Sequence, residues 1–382
     1  MRKISLVTSA VLLSTTFAIA DSNTLKEAFA NGTTSGDVSA FYQRQSNKNN
    51  PTEGYSSGSA GLNYETDAFY GFSASLGARA NHKFTQKNKD VIDADGVEGD
   101  YKRAYQNSAV INVAALKYTH DDFFVSLGRQ EIDLEWLGDY NEAVVAGITA
   151  IPDTTIVVGY TDRQAEIGID VVEDFHEVSK KGAYVLDVKN SSIENVELNP
   201  YFYSVPDISK FYGVKVSYDN DMFGATAHYA KSNENSRNLD GFGNRVEDGD
   251  ILNFEGRFNV AGVALAAGYI KTDKKGTGSM SAYGDNISPF EDADGHNIYG
   301  EDAKTYYGLV GYEIVGIELE AVYGQTKYDD AGTKAKEAEL NLSVGYNFTE
   351  ELSANIMYVK YNDKSAANDD YNKVLASVSY SF

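Results

Sequence analysis

The chain has 382 residues, with 56 Asp and Glu against 33 Lys and Arg, a formal net charge of −23 and no cysteine. That acidity excludes a protein that binds nucleic acid by neutralising phosphates, and the missing thiols exclude disulfides, thiolate nucleophiles and zinc–sulfur sites. Beyond residue 20 no window offers the roughly 18 apolar residues of a membrane helix, but a mean hydropathy of −0.38 leaves a membrane barrel open, because its alternating strands are half polar.

The chain begins "MRKISLVTSAVLLSTTFAIA", with basic Arg2 and Lys3, an apolar stretch around Val11 to Leu13, and Ala18-Ile19-Ala20 before Asp21. That is a secretory signal with an A-x-A cleavage site. Its removal leaves a single expected domain, residues 21–382, that is more acidic still.

Alternation then runs from end to end. "FSASLGARAN" sets Phe72, Ala74, Leu76, Ala78 and Ala80 against Ser73, Ser75, Gly77, Arg79 and Asn81. "ILNFEGRFNV", "IELEAVYGQ" and "AELNLSVGYNF" repeat the pattern, and the chain closes on "YNKVLASVSYSF", with Tyr380 and Phe382 in the apolar phase. A period of two gives each strand one apolar and one polar face.

Short turns at 66–69, 120–123, 150–154, 190–195, 218–222, 260–262, 314–316 and 348–351 alternate with mostly longer polar stretches. Those stretches are 46–54, 85–103, 131–142, 166–181, 206–209, 233–249, 274–303, 329–335 and 363–371. The spacing predicts eighteen strands, with sixteen left open by the irregular stretch 131–165. Short turns on one rim and long loops on the other define an all-β, transmembrane antiparallel barrel with both termini on the periplasmic side.

A soluble sandwich also alternates. Against it stand aromatics near the turns (Tyr64, Phe72, Tyr118, Phe123, Tyr218, Phe223, Tyr346, Phe348 and Tyr380) and the lack of a linker to split the chain. A closed barrel also leaves no backbone group unpaired in lipid.

With apolar faces toward lipid, the polar faces line a water-filled lumen. Inward candidates by phase are Arg79, Arg163, Lys215, Glu255, Arg257, Glu318, Glu320, Glu339 and Lys373. The stretch "EIDLEWLGDYNEA" carries Glu131, Asp133, Glu135, Asp139 and Glu142 around Trp136, the only tryptophan. Ile132, Leu134, Trp136 and Leu137 make it too apolar for a loop in water. The expectation is a loop folded into the barrel that narrows the passage and favours cations, since carboxylates attract them. Arg129 and Arg79 are the expected basic wall opposite.

The signal peptide, "LKEAFANGTTSGDVSAFYQRQ", "VSLGRQEIDLEWLGDYNEAVVAGITA" and the terminal "LASVSYSF" resemble the major outer membrane protein of Campylobacter and its relatives, which are distantly similar to OprD-type porins. The resemblance implies an eighteen-stranded, trimeric porin of a Gram-negative outer membrane that passes ions and small hydrophilic solutes. It carries Arg129 and the acidic loop over as eyelet candidates. Relatives selective for basic amino acids use a ladder of lumen arginines; Arg79, Arg163 and Arg257 do not form a clear one. The terminal aromatics Tyr380 and Phe382 resemble the signal read by outer-membrane assembly machinery.

Two acidic loops carry partial Ca²⁺-loop spacing, Asp292, Asp294, Gly295 and Glu301, and Asp93, Asp95 and Gly96. No flanking helices accompany them, so the expectation is no dedicated cofactor and at most weak Ca²⁺ or Mg²⁺ binding that bridges neighbours and lipopolysaccharide. No enzyme is expected. The rival readings are a barrel hydrolase, for which His120 beside Asp121 and Asp122 is the candidate, and a plugged structural or adhesin barrel.

Overall fold

The computed structural model describes residues 22–87, 100–284, 286–290, 297–365 and 370–382. The expected signal peptide and most of both Ca²⁺-like loops lie outside those residues. Alternation becomes strands in succession: β1 (Thr33–Asn47), β2 (Glu53–Glu65), β3 (Phe72–Gln86), β4 (Ala109–His120), β5 (Phe123–Glu131), β6 (Tyr140–Ile148) and β7 (Thr154–Ala165). A two-residue strand, β8 (His176–Glu177), adds to the end of β7. The wall continues through β9 (Ala183–Ile193), β10 (Val196–Val205), β11 (Ser209–Asp219), β12 (Phe223–Glu234) and β13 (Gly249–Val260). It ends with β14 (Val263–Thr272), β15 (Glu301–Ile314), β16 (Ile317–Asp330), β17 (Thr333–Asn347), β18 (Leu352–Asp363) and β19 (Tyr371–Ser381).

Leaving β8 aside, each strand pairs antiparallel with its neighbour in sequence, and β1 pairs with β19 from Asp37↔Ser381 to Asn47↔Tyr371. The result is a closed barrel of eighteen strands. A short helix α1 (Leu25–Ala30), capped by Thr24 Oγ1 accepting from Glu27 N, packs on the β2–β3 turn through Asp67 N donating to Ala28 O. A second short helix, α2 (Asp100–Ala104), precedes β4.

The polarity of the wall is inverted relative to a soluble protein. On β17, Leu342, Val344 and Tyr346 face outward, Val344 being 48% exposed, while Asn341 and Ser343 on the opposite face are 3% and 5% exposed. The same inversion on β19 exposes Val378 and Tyr380 and buries Lys373, Ser377 and Ser379. Only lipid outside and a polar interior make that arrangement stable.

Two connections grouped by sequence with the long polar stretches are tight turns, 206–208 and 331–332. Their polar neighbours, such as Asp329, Asp330 and Lys334, are strand residues. Polar residues there mark where a strand rises out of the apolar band, not where it ends.

Candidate functional site

The connection 132–139 between β5 and β6 lies against the inner wall. Trp136 is fully buried, and its indole Nε1 donates to Tyr201 Oη on β10 at 2.8 Å. Tyr201 Oη lies 2.6 Å from His228 Nε2 on β12, and His228 Nδ1 lies 3.4 Å from Glu135. An indole only donates, so the tyrosine hydroxyl accepts from Trp136, while the direction of its bond with His228 Nε2 follows the imidazole tautomer. Lys215 Nζ on β11 completes the latch, donating to Glu135 Oε2 at 2.9 Å. Ile132, Leu134 and Leu137 are buried in the same cluster, and Phe211 stacks between Tyr203 and Tyr283.

Two further loops, both among the long polar stretches of the sequence, fold inward. From 273–300, Met280, Tyr283, Ile287, Phe290 and Ile298 join the cluster beside Ile251, Ile270, Tyr307 and Val322. This loop holds the first one: Asn286 Nδ2 donates to Leu134 O at 3.0 Å and to Glu135 O at 3.1 Å. Gly284 lies so close that a Cβ there would fall 2.9 Å from Trp136 Cα.

Across the barrel, Ile167, Ile169, Val172 and Phe175 of 166–175 pack on Phe41, Tyr55 and Tyr105. Asp170 sits in that loop, and burial raises its carboxyl above the usual aspartate range, opposed by its own backbone N–H, Lys373, Arg79 and the Val171 N–H. The signal that flags 132–137, apolar side chains in a stretch too short for a strand, is present in both "EIGIDVVEDF" and 280–290.

The sequence-predicted residues fall into separate places. Glu135 is buried and neutralised by Lys215, whereas Asp133 and Asp139 are exposed on the docked loop and Glu131 is half-buried. Glu142 bridges β5 and β7: Arg129 Nη2 lies 2.7 Å and Arg163 Nη1 3.9 Å from its Oε1. Arg129 stacks on Phe175 at 4.2 Å.

Arg79 is occupied elsewhere, on Asp37 at 2.5 Å and Ser59. Arg257 spans Asp219 at 2.9 Å and Glu255 at 3.2 Å, and Glu255 accepts from Tyr307 at 2.6 Å. Glu339 is buried on β17, while Glu318 is exposed and Glu320 half-exposed on β16. His120 stacks on Phe123 at 5.2 Å, and its Nδ1 accepts from Asp122 N at 3.5 Å.

A closed antiparallel barrel with apolar outside, polar inside and loops folded inward is the architecture of a porin-like outer-membrane channel. The family model described as "Putative outer membrane protein" matches residues 54–367, and the chain belongs to that outer membrane protein family. No curated protein matches the sequence.

Among solved structures, Acinetobacter baumannii OccAB1 superposes with a TM-score of 0.78 at 12% identity, over 94% of this chain and 98% of that one. Acinetobacter baumannii OccAB4 gives 0.74 at 15% identity, over 92% and 98%. Pseudomonas aeruginosa OccK8 (OprE) gives 0.74 at 13%, over 93% and 98%. At such identities the likeness establishes the fold, that of the OprD/Occ porins.

Proposed function

We propose that this protein is a passive-diffusion porin that prefers cations and passes ions and small hydrophilic solutes. The observation that carries the reading is the set of inward-folded loops on a polar wall. They narrow the barrel and carry the exposed carboxylate Asp133, while the best-buried acid of the same loop, Glu135, is neutralised by Lys215. Because the paired charges cancel, the exposed acids and the chain's formal −23 decide the sign of the lumen field. Glu318 and Glu320 extend that acidity toward the short-turn rim.

Export through the signal peptide, a homotrimer in lipopolysaccharide-containing membrane, insertion by the assembly machinery and no dedicated cofactor belong to the same reading. Planar-bilayer recording of the refolded protein tests it. Stepwise currents are expected, with a reversal potential of cation sign under a salt gradient. A bilayer that stays silent would sink the reading, and an anion-sign potential would overturn the selectivity.

A further inference from the structure

Several charged side chains on the lumen wall are ion-paired, Arg79 with Asp37, Arg129 with Glu142 and Lys215 with Glu135, but Glu318 and Glu320 near the short-turn rim are not. Glu318 and Glu320 project into the lumen from β16, two residues apart, or about 7 Å along the strand. Among the described residues neither carboxylate has a cationic partner; Glu318 accepts only a long hydrogen bond, 3.5 Å, from Asn347 Nδ2. Across the register, Glu320 faces Ser343 and then Met357, and Glu318 faces Gly345 and then Asn355.

Polar atoms turned toward this patch are also unused within the protein. Ser343 is 5% exposed and Asn341, the next lumen-facing residue up β17, is 3% exposed. Ser343 Oγ, both amide atoms of Asn341 and Asn355 Nδ2 have no protein hydrogen-bond partner. A buried polar group left unmatched costs about 1–3 kcal/mol, a cost that a ligand removes.

Gly345 shapes the floor. A Cβ there would meet Asn355 Nδ2 and Glu318 Cβ at 3.6 Å, ordinary contact, so the glycine leaves room for one methyl-sized group between carboxylate and amide.

We propose that Glu318, Glu320, Asn341, Ser343 and Asn355 form a subsite for a small cation bearing N–H donors, of the alkylammonium class. Two carboxylates, the Ser343 hydroxyl and Asn341 Oδ1 are acceptors, which match N–H donors. Asn341, with neither amide atom bonded within the protein, presents its oxygen in either orientation without losing a hydrogen bond. The site rests on the pore reading only for its place in the passage, below the inward-folded loops.

The test compares methylammonium with tetramethylammonium, which has the same charge and no N–H. Single-channel current is recorded at rising concentrations of each chloride salt, on the wild-type barrel and on E318Q/E320Q, N341A/S343A and G345A variants. Saturation at lower methylammonium concentration is expected for wild type. Each variant should raise the half-saturating concentration about fivefold, the weight of one hydrogen bond, and leave tetramethylammonium unchanged or shifted far less.

Equal shifts for both ions in E318Q/E320Q would overturn the subsite in favour of a diffuse field. Unchanged saturation in N341A/S343A and G345A would reduce the patch to hydrated wall. Saturation-transfer NMR of methylammonium on the refolded barrel reads the same site without conduction, so a silent bilayer would count against the pore and not against the subsite. G345A introduces a Cβ without backbone strain and keeps the comparison on a folded protein.

Discussion

Single residues show where the barrel departs from the ordinary behaviour of its side chains. Val315 is one: it holds φ 52 in the two-residue turn with Gly316 (φ 75) and is 88% exposed. Both central positions of this turn type need positive φ, which a β-branched residue adopts only at a cost. Val315→Asn should therefore raise stability by about 1 kcal/mol, read as a higher denaturant midpoint with unchanged conductance. An unchanged or lower midpoint would show that the turn is not strained.

Asp170 is the other. Its carboxyl is raised by burial within the inward loop, so it takes up a proton at a higher pH than a free aspartate. A carboxylate raised on folding costs stability above its folded value, and the cost disappears as pH falls through that value. Acidification should thus neutralise Asp170 before ordinary carboxylates, and cation preference should begin to fall at a higher pH than unshifted carboxylates alone would give. In Asp170→Asn that early part of the reversal-potential titration should be missing; a superimposable curve would exclude Asp170 from the lumen field.

At the scale of elements, the loop 132–139 and the described residues 280–284 and 286–290 of the following inward loop form one body, since Asn286 holds the carbonyls of Leu134 and Glu135 while Gly284 lies against Trp136. Removing a fully buried Trp typically costs about 3–5 kcal/mol. In Trp136→Ala that loss should fall on loop docking, because the strand ladders do not depend on it. Larger or noisier single-channel currents are expected at an unchanged barrel melting temperature. Gly284→Val should reproduce the effect from the other loop, by pushing its backbone off Trp136. A variant that melts early with normal currents would mean the loops stabilise the wall and do not set the passage.

The inward fold of 132–139 was legible because Ile132, Leu134, Trp136 and Leu137 are wasted in water. What that pattern could not contain was the address. Glu135 meets Lys215, which alternation assigns to the lumen face but not to any partner, and His228, which that pattern does not single out. Likewise, Arg79 and Arg129 both read as basic wall, yet one is held by Asp37 and the other by Glu142. Phase is a local property of the chain; pairing across the lumen depends on how the cylinder closes.

For the whole molecule, closure is the decisive event, since every other ladder can form between strands adjacent in sequence and only β1–β19 joins the two ends of the chain. The seam continues past the last strand residue. Gly36 N donates to Phe382 O at 2.9 Å, Phe382 N donates to Gly36 O at 3.0 Å, and the Phe382 ring lies over Gly36, 2.9 Å from where a Cβ would stand. Ser39 and Ser379 hydroxyls meet on the lumen side at 3.0 Å.

Deleting Phe382 removes both backbone bonds, about 2 kcal/mol at a typical 1 kcal/mol each. That is small beside the rest of the β1–β19 ladder, so a barrel that closes without it should remain closed. Lost along with the bonds is the exposed terminal aromatic, 53% exposed, which we propose the assembly machinery reads. The expected outcome is a smaller folded, heat-modifiable fraction in the outer membrane, with single-channel conductance of the surviving protein unchanged. Refolding into detergent, which needs no machinery, should be nearly normal. If refolding and membrane assembly fell together, Phe382 would act through the seam alone; if conductance changed while assembly held, the C-terminal residue would belong to the passage.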